Sequence, residues 1–479
     1  MAGRGSIGDA TYSQFVNSFP SSVRDRTHVY QNETWKQRPD EPLHNDKPDK
    51  VGVGPGLAAA LTIARAFSDL NIGIIPTAFG GSEINRWLPT GDLFQSCSTL
   101  VEQALGSSVT AASSQTTTPP TCIVMWHQGE SDCTDDRASE YESKLRQVVQ
   151  HFCTVLLQQR HNSNAVRHRT SSYFIMGELG NFCDKCDALS GVGIVQHAIQ
   201  QVSFDISLNV RLVTSSGLND VGDSLHFDTP SALQFGVRYG QSLADALHKD
   251  AEILQRLHPM YDFATSGTAA AQFNSVDDRV MGGQSHSVMD YNEKEKKTTV
   301  SGMLVLEGGG FISLRACSPF SDLSNCTGVV IDVCGGGNGS TRIPCPPGKK
   351  EEGKENQEEQ GKNLESETSE TSETSETSSS IHMDLTWKLG IRSRTESKDG
   401  VYWSATFSPK RCRSLVVLPF DSFVATRRGR NVTDCGALDI RDIGSFSLML
   451  AKSNNLHALQ TATHATFALD LYNMSGMLC

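Results

Sequence analysis

Residues 222–228 read GDSLHFD and set an acid, Asp223, three positions before a histidine, His226. On a tight loop that spacing lets the carboxylate accept the Nδ1 proton of the imidazole. Nε2 then faces outward with its lone pair, as a general base requires. Two other segments bring polar groups of the kind such a base works with. One is the glycine turn Gly80, Gly81 and Ser82; the other is WHQGESD at 126–132, with Gln128 and Glu130.

These residues need elements to hold them. A helix is expected over about 57–70, after the glycine turn VGVGPGL at 51–57. That turn imitates half a dinucleotide fingerprint, but its third glycine comes too soon. Apolar runs predict strands at 72–82, 121–132, 173–177 and 210–214, and periodic stretches predict helices at 135–158, 192–202 and 231–248. Strands alternating with helices give an α/β doubly wound parallel sheet over 1–250, covered on both faces. Ligands bind such sheets beyond the carboxyl ends of the strands, and the three polar segments all fall there. Residues 9–49 read as polar loop, with Trp35 as the one large anchor.

The blocks GGSEINRW, WHQGESD and GDSLHFD, in that order, resemble those of the SGNH hydrolases. The similarity is to the sialate O-acetylesterase-like branch, near carbohydrate esterase family 6. MAGRG at 1–5 and EPLH…GVGPGLA at 41–58 fit that branch too. The resemblance implies a serine-type esterase fold acting on an acetyl ester of a sugar or glycan, with no metal or other cofactor. It makes His226 the base, Asp223 its orienting acid, and Gly80, Gly81 and Gln128 the donors to the oxyanion, with Glu130 in support. In that family the nucleophilic serine lies in a Gly-Gln-Ser-Asn segment just ahead of Met-x-Gly-Arg-Gly. The resemblance therefore implies that the nucleophile and its strand lie upstream of Met1 and that the chain as written is inactive. Ser6 and Ser82 are the alternatives within it.

From Phe273 onward the texture changes to short alternating strands and glycine turns, which predicts a β-sandwich. A linker is expected at 251–262 and the sandwich at 263–479. DDRVMGGQS at 277–285, a GGGF turn and a late PFDSF…RRGR segment resemble the complex I intermediate-associated protein 30 family, which implies a galactose-binding-like jelly roll. Asp277, Asp278 and Arg279 read as a satisfied turn or as a ligand contact. The segment 346–380 is rich in Lys, Glu, Ser and Thr and nearly devoid of apolar residues, so it is expected to be a disordered insertion.

Composition narrows the partners. Of the formal charge of −12, half comes from 349–376, with ten Glu against four Lys. The rest is only mildly acidic, which speaks against a nucleic-acid surface. No apolar run is long enough to span a bilayer. A protein or carbohydrate partner of the sandwich is expected. The alternative function is a non-catalytic scaffold or complex I assembly-type factor acting through the sandwich. Thirteen cysteines include Cys183-x-x-Cys186, which has no second pair at zinc-finger spacing.

Overall fold

A computed structural model describes residues 2–44, 46–47, 49–111, 122–153, 173–205, 210–307, 310–320, 322–335, 385–394, 400–410, 413–427, 430–433, 435–452, 455 and 464–479. The expected insertion lies outside the described residues. The first half is mixed α/β. In chain order it holds α1 (Ala10–Asn17), α2 (Ser21–Arg24), β1 (Thr27–Gln31), β2 (Thr34–Gln37), α3 (Pro55–Ala66), β3 (Ile72–Ile74), α4 (Asp92–Ala111), β4 (Ile123–Trp126), α5 (Asp135–Phe152), β5 (Tyr173–Gly177), α6 (Val192–Phe204), β6 (Val210–Val213) and α7 (Thr229–Gln255).

The stretch 9–49, expected as loop, is largely built. Asp9 caps α1 by accepting from the Thr11 N–H, and β1 and β2 form a hairpin in which Gln31 pairs with Thr34. The turn runs through Asn32 and Glu33, at φ 52° and 61°. Two-residue turns with both centres left-handed match the twist of the strands, and Asn-Gly is their usual sequence. Glu33 stands where the glycine would, so the turn carries no visible signal. A left-handed L-residue costs roughly 1–2 kcal/mol, partly offset by the entropy a glycine adds to the unfolded chain. Glu33→Gly is accordingly expected to stabilise by about 0.5 kcal/mol, read as a higher urea midpoint. A lower midpoint would show that Glu33 makes a compensating contact.

The strands form two sheets rather than one. β1 pairs with β2 antiparallel and with β3 in parallel, giving the order β2-β1-β3; β4, β5 and β6 form a second, wholly parallel sheet. Two layers of helices cover both. Ile72 and Ile74 of β3 and Ile123 of β4 pack on the core of α3 and α7. Ile75, just past β3, and Val124 of β4 pack on the other core, with side chains of α4, α5 and α6. The two half-sheets thus share both helical layers, yet among the described residues no pairing joins β3 to β4. The expected parallel sheet is therefore split. An open strand edge presents unpaired N–H and C=O groups, a template for another strand.

The expected linker at 251–262 is also structured. α7 runs on to Gln255, and β7 (Leu257–Asp262) follows after one residue. Pro259 hid this strand, because proline cannot donate to a ladder. It is tolerated since, among the described residues, β7 pairs with β19 alone, with a register shift beside Pro259.

The second half is sheet-rich. It comprises α8 (Thr268–Ala271), β8 (Asn274–Ser275), β9 (His286–Asn292), β10 (Lys297–Val305), β11 (Phe311–Cys317), β12 (Cys326–Gly335), β13 (Trp387–Ser393), β14 (Val401–Phe407), β15 (Ser414–Pro419), β16 (Val424–Arg427), β17 (Arg430–Asn431), β18 (Ile443–Ala451) and β19 (His464–Leu478). One sheet has the order β15-β12-β19-β10-β9, with β7 also on β19; the other has β17-β16-β14-β13-β18-β11-β8. β10 alternates buried and half-buried positions along its whole length, as a strand with one face on a core must. Inward residues of both sheets, among them Val300, Ile331, Leu389, Leu448 and Leu469, form one core. No helix among the described residues is long and apolar enough to cross a membrane.

Candidate active site

The loop after β6 is shaped by its own acids. Asp220 Oδ2 accepts from the Gly222 and Ser224 N–H groups at 3.0 and 2.6 Å. Asp223 Oδ1 accepts from the Leu225 and His226 N–H groups at 2.9 and 2.8 Å. Its other oxygen, Oδ2, lies 2.6 Å from His226 Nδ1. Burial raises the Asp223 carboxyl, but the His226 imidazole and the two backbone amides outweigh it and hold the group below the ordinary carboxylate range. An ionised Asp223 makes Nδ1 the donor, so Nε2 carries the lone pair. Both side chains are about two-fifths exposed, His226 at 40% and Asp223 at 44%, as a base that must meet a substrate requires. Asp228 then starts α7 by accepting from the Ser231 N–H at 2.8 Å.

Phe227 ties this loop to the segment after β4. It is buried, and it packs against Phe182, Phe235 and the His127 ring, with centroids 5.0, 5.2 and 5.7 Å apart. His127 Nε2 in turn lies 3.1 Å from Glu130 Oε1. Burial raises the Glu130 carboxyl, but the His127 imidazole outweighs it and brings the group down to about 2. A second imidazole–carboxylate pair therefore sits one aromatic ring away from the first. Among the described residues Glu130 bonds the His127 ring and neither Gln128 nor His226.

Gln128 is buried and connects β4 to the Gly80–Ser82 turn. Its Nε2 donates to the Ser82 carbonyl at 2.9 Å and to Asp132 Oδ2 at 2.5 Å. Tyr141 Oη lies 2.7 Å from the Gln128 carbonyl and 3.0 Å from its Oε1. Both amide hydrogens thus have acceptors, and an oxyanion could receive one only if Ser82 or Asp132 gave way. Asp132 also accepts from the Ile84 N–H at 2.9 Å, so one carboxylate binds both loops. Asp132 closes the WHQGESD block and could have been read from the sequence as its anchor. Tyr141, on α5, had no signal that separates it from ordinary core.

The glycine turn is engaged as well. The Gly80 N–H donates to Asp46 Oδ2 at 2.9 Å, and Lys47 Nζ donates to the Gly80 carbonyl at 2.7 Å. Arg4 reaches the same Asp46 oxygen at 3.2 Å, and a Cβ on Gly80 would stand 2.2 Å from Arg4 Nη2, so a side chain there would have to displace the guanidinium. Gly81 is left-handed at φ +70°. Ser82 is buried, and its hydroxyl accepts from Trp87 Nε1 at 3.0 Å. Ser6 is exposed, and its carbonyl accepts from Thr229 Oγ1 at 3.1 Å.

His44 supports the segment between β3 and this turn by accepting at Nδ1 from the Ala78 N–H at 3.2 Å. Burial, with Arg4 adding to it, pushes the imidazole down to about 3. The folded state therefore resists a proton that the unfolded chain takes up near its ordinary value of about 6.5. This contribution is whole above about pH 6.5 and is lost as pH falls through that value toward 3, by at most about 1.4 kcal/mol per pH unit. In His44→Asn the urea midpoint is expected to fall less between pH 6.5 and 4 than in the parent. Parallel pH profiles for the two would rule out His44 as the source.

The α/β layer thus carries an imidazole–carboxylate pair on a loop beyond its strand ends. The family model described as carbohydrate esterase, sialic acid-specific acetylesterase, matches residues 1–245, more than half of the chain, and the chain belongs to that family. The complex I intermediate-associated protein 30 family model matches 261–340 and 379–471. A probable carbohydrate esterase of Arabidopsis thaliana is 28% identical over 209 residues, which is 42% of this chain and 68% of that protein. A solved structure of an Arabidopsis thaliana protein covers 51% of this chain and 94% of its own, at 23% identity and a TM-score of 0.38. A family 11 carbohydrate-binding module from Clostridium thermocellum, solved with a mixed-linked tetrasaccharide, covers 47% of this chain and 96% of its own, at 13% identity and a TM-score of 0.28.

Proposed function

We propose that the first half is a serine-type O-acetylesterase acting on a sugar or glycan of the sialate type. In this reading its nucleophile rides on a strand that seats between β3 and β4. The first half is then an SGNH-type doubly wound domain, and the second a galactose-binding-like jelly roll that serves it as an accessory. The observation that carries the reading is the Asp223–His226 pair at 2.6 Å, on an exposed loop beyond a parallel sheet. In the mechanism, His226 Nε2 takes the proton of the attacking serine and returns it to the leaving sugar hydroxyl, while Asp223 holds the tautomer and offsets the imidazolium charge. The oxyanion is received at the Gly80–Gly81 turn. Gln128 joins it only if its amide turns from Ser82 or Asp132.

The split sheet supports a seated strand. β3 and β4 offer open edges between shared helical layers, and a parallel strand there would satisfy both. Its carboxyl end would come out among the catalytic loops, where a serine could reach His226. The test compares the chain as written with one preceded by an apolar strand ending in Gly-Gln-Ser-Asn, using p-nitrophenyl acetate, an O-acetylated sialic acid and a fluorophosphonate serine label. The extended chain is expected to turn over both esters and take the label on the added serine; the written chain is expected to stay near background. Equal turnover by both would overturn the seated-strand reading and leave Ser6 as the exposed candidate.

A further inference from the structure

The sheet β17-β16-β14-β13-β18-β11-β8 turns one face to the sandwich core and the other away from it. Leu314, Leu389, Ile391 and Leu448 point into the core, so the residues alternating with them point out. In a chain of formal charge −12 these seven strands are the exception. They hold Arg315, Lys388, Arg392, Arg427 and Arg430 and not one Asp or Glu. Arg315, Lys388 and Arg392 lie on the outer face. All three are half-buried, and among the described residues none has an ion pair. Asp442, just ahead of β18, accepts instead from Ser393 Oγ at 3.1 Å.

The three cations border a low floor. Arg315 pairs with Ser447, Ser447 with Gly390, and Gly390 with Ser404. Lys388 and Arg392 stand two positions to either side of Gly390. A Cβ on Gly390 would meet Ser447 Oγ at 2.3 Å, so the serine hydroxyl lies over the glycine. Neighbouring strands are about 4.8 Å apart, which makes this floor of two serines and a glycine about 10 Å wide. Tyr402 borders it on β14, with the Arg392 guanidinium carbon 6.0 Å from its ring centroid. Arg315 Nε donates to Ser313 Oγ at 3.1 Å, which fixes the plane of that guanidinium; its other N–H groups meet no acceptor among the described residues. Burial lowers Arg315 from its ordinary value and Arg392 adds to the effect, with Tyr402 opposing it. Two guanidiniums that repel each other, with no acid between them, cost stability until an anion joins them.

Shape and charge together select the occupant. An extended peptide pairs at the edge of a sheet rather than on its face, and a nucleic acid calls for cations in a row along its backbone. A floor of hydroxyls beside an aromatic ring suits the flat face of a pyranose, and guanidiniums at its border suit a carboxylate through charge-assisted hydrogen bonds. We propose that this outer face binds a carboxylate-bearing sugar, its ring over Gly390 and Ser447 beside Tyr402 and its carboxylate held by Arg315 and Arg392, with Lys388 adding to the field. The inference deepens the accessory role proposed for the second half and rests on it. The esterase reading is tested separately, since none of the probes below carries an acetyl ester.

The experiment is a ligand-observed NMR titration of the full chain, at one ionic strength, with methyl glucuronide, its neutral partner methyl glucoside, N-acetylneuraminic acid, acetate and an oligoglutamate peptide. Saturable binding of at least one acidic sugar is expected, at least 10-fold tighter than that of the glucoside or acetate. Arg392→Gln is expected to weaken it at least 10-fold and Tyr402→Ala at least 3-fold. Ser447→Leu, which fills the floor from an outward position, is expected to abolish it with the thermal midpoint unchanged. Arg392→Gln is also expected to hold or raise the midpoint of the unliganded protein, because it relieves the repulsion with Arg315; an arginine kept for packing would lower it. No saturable binding of either acidic sugar, equal affinity for the glucoside or acetate, tighter binding of the peptide, or parental affinity in both Arg392→Gln and Ser447→Leu would overturn the proposal.

Discussion

In the chain carrying the serine strand, His226→Ala is expected to lower kcat/KM for p-nitrophenyl acetate by about 10³–10⁴-fold with an unchanged thermal midpoint. The size follows from what the imidazole does: without it the serine must lose its proton to water, and the leaving group gains none. The unchanged midpoint follows from exposure. The loop is held by Asp220, by the backbone bonds to Asp223 Oδ1 and by buried Phe227, none of which needs the ring of His226. Asp223→Asn should fall in the same range for a different reason. An amide at that position removes the charge that stabilises the imidazolium and can leave the wrong tautomer at Nδ1. Its Oδ1 still accepts from the two backbone amides, so the midpoint should change little. Glu130→Gln is a useful contrast: through His127 it perturbs the neighbouring pair and should cost less activity than either. Full turnover by His226→Ala would remove this residue from the chemistry.

The second large effect is expected in the sandwich. Asp278→Ala should destabilise by about 3–5 kcal/mol, read as the urea midpoint of the second half, because it orphans a set of buried donors together. Asp278 is fully buried and accepts from the Ser285 N–H and Oγ at 2.8 and 2.7 Å and from the Gly310 N–H at 2.7 Å. Burial raises its carboxyl, but these donors outweigh it and keep the group below the ordinary range. Asp277 is likewise occupied, by the N–H and Oγ of Ser287. The DDR motif is thus a turn built from within, and the ligand contact left open by the sequence is not needed to explain it. Arg279 is 61% exposed and 3.8 Å from Asp277, so Arg279→Ala should change the midpoint by less than about 0.5 kcal/mol. Comparable losses in both variants would mean that the turn is held by something other than Asp278.

What the sequence made legible was whatever a single segment decides. β5 and the start of α6 could be placed from their own apolar patterns, and the Asp223–His226 contact from its spacing alone. What it hid depends on partners distant in sequence. β7 looks like a proline-broken linker until β19 is beside it. The β1–β2 hairpin has Glu33 in a glycine position. Gln128 was read as a free donor because nothing nearby announces that Ser82 and Asp132, 46 residues back and four ahead, accept from it. Spacing finds pairs that lie on one loop. It cannot count how many acceptors a buried amide already has.

The direct passage from α7 into β7 has a mechanical consequence. β7 begins beside the end of β19: Leu257 pairs with Met477, and the ladder runs on to Asp262 and Asn473. Tension between the first half and the chain's last residues therefore enters at one end of this ladder, and the rungs carry it in succession. Arg256 and Leu478, which exchange backbone and guanidinium bonds at 2.7 and 3.0 Å, yield first. Each later rung then bears the load alone, as in a zipper. Under a slow pull the ladder would peel at low force until Tyr261 is drawn from the sandwich core, where a strand drawn lengthwise would have to break every rung together.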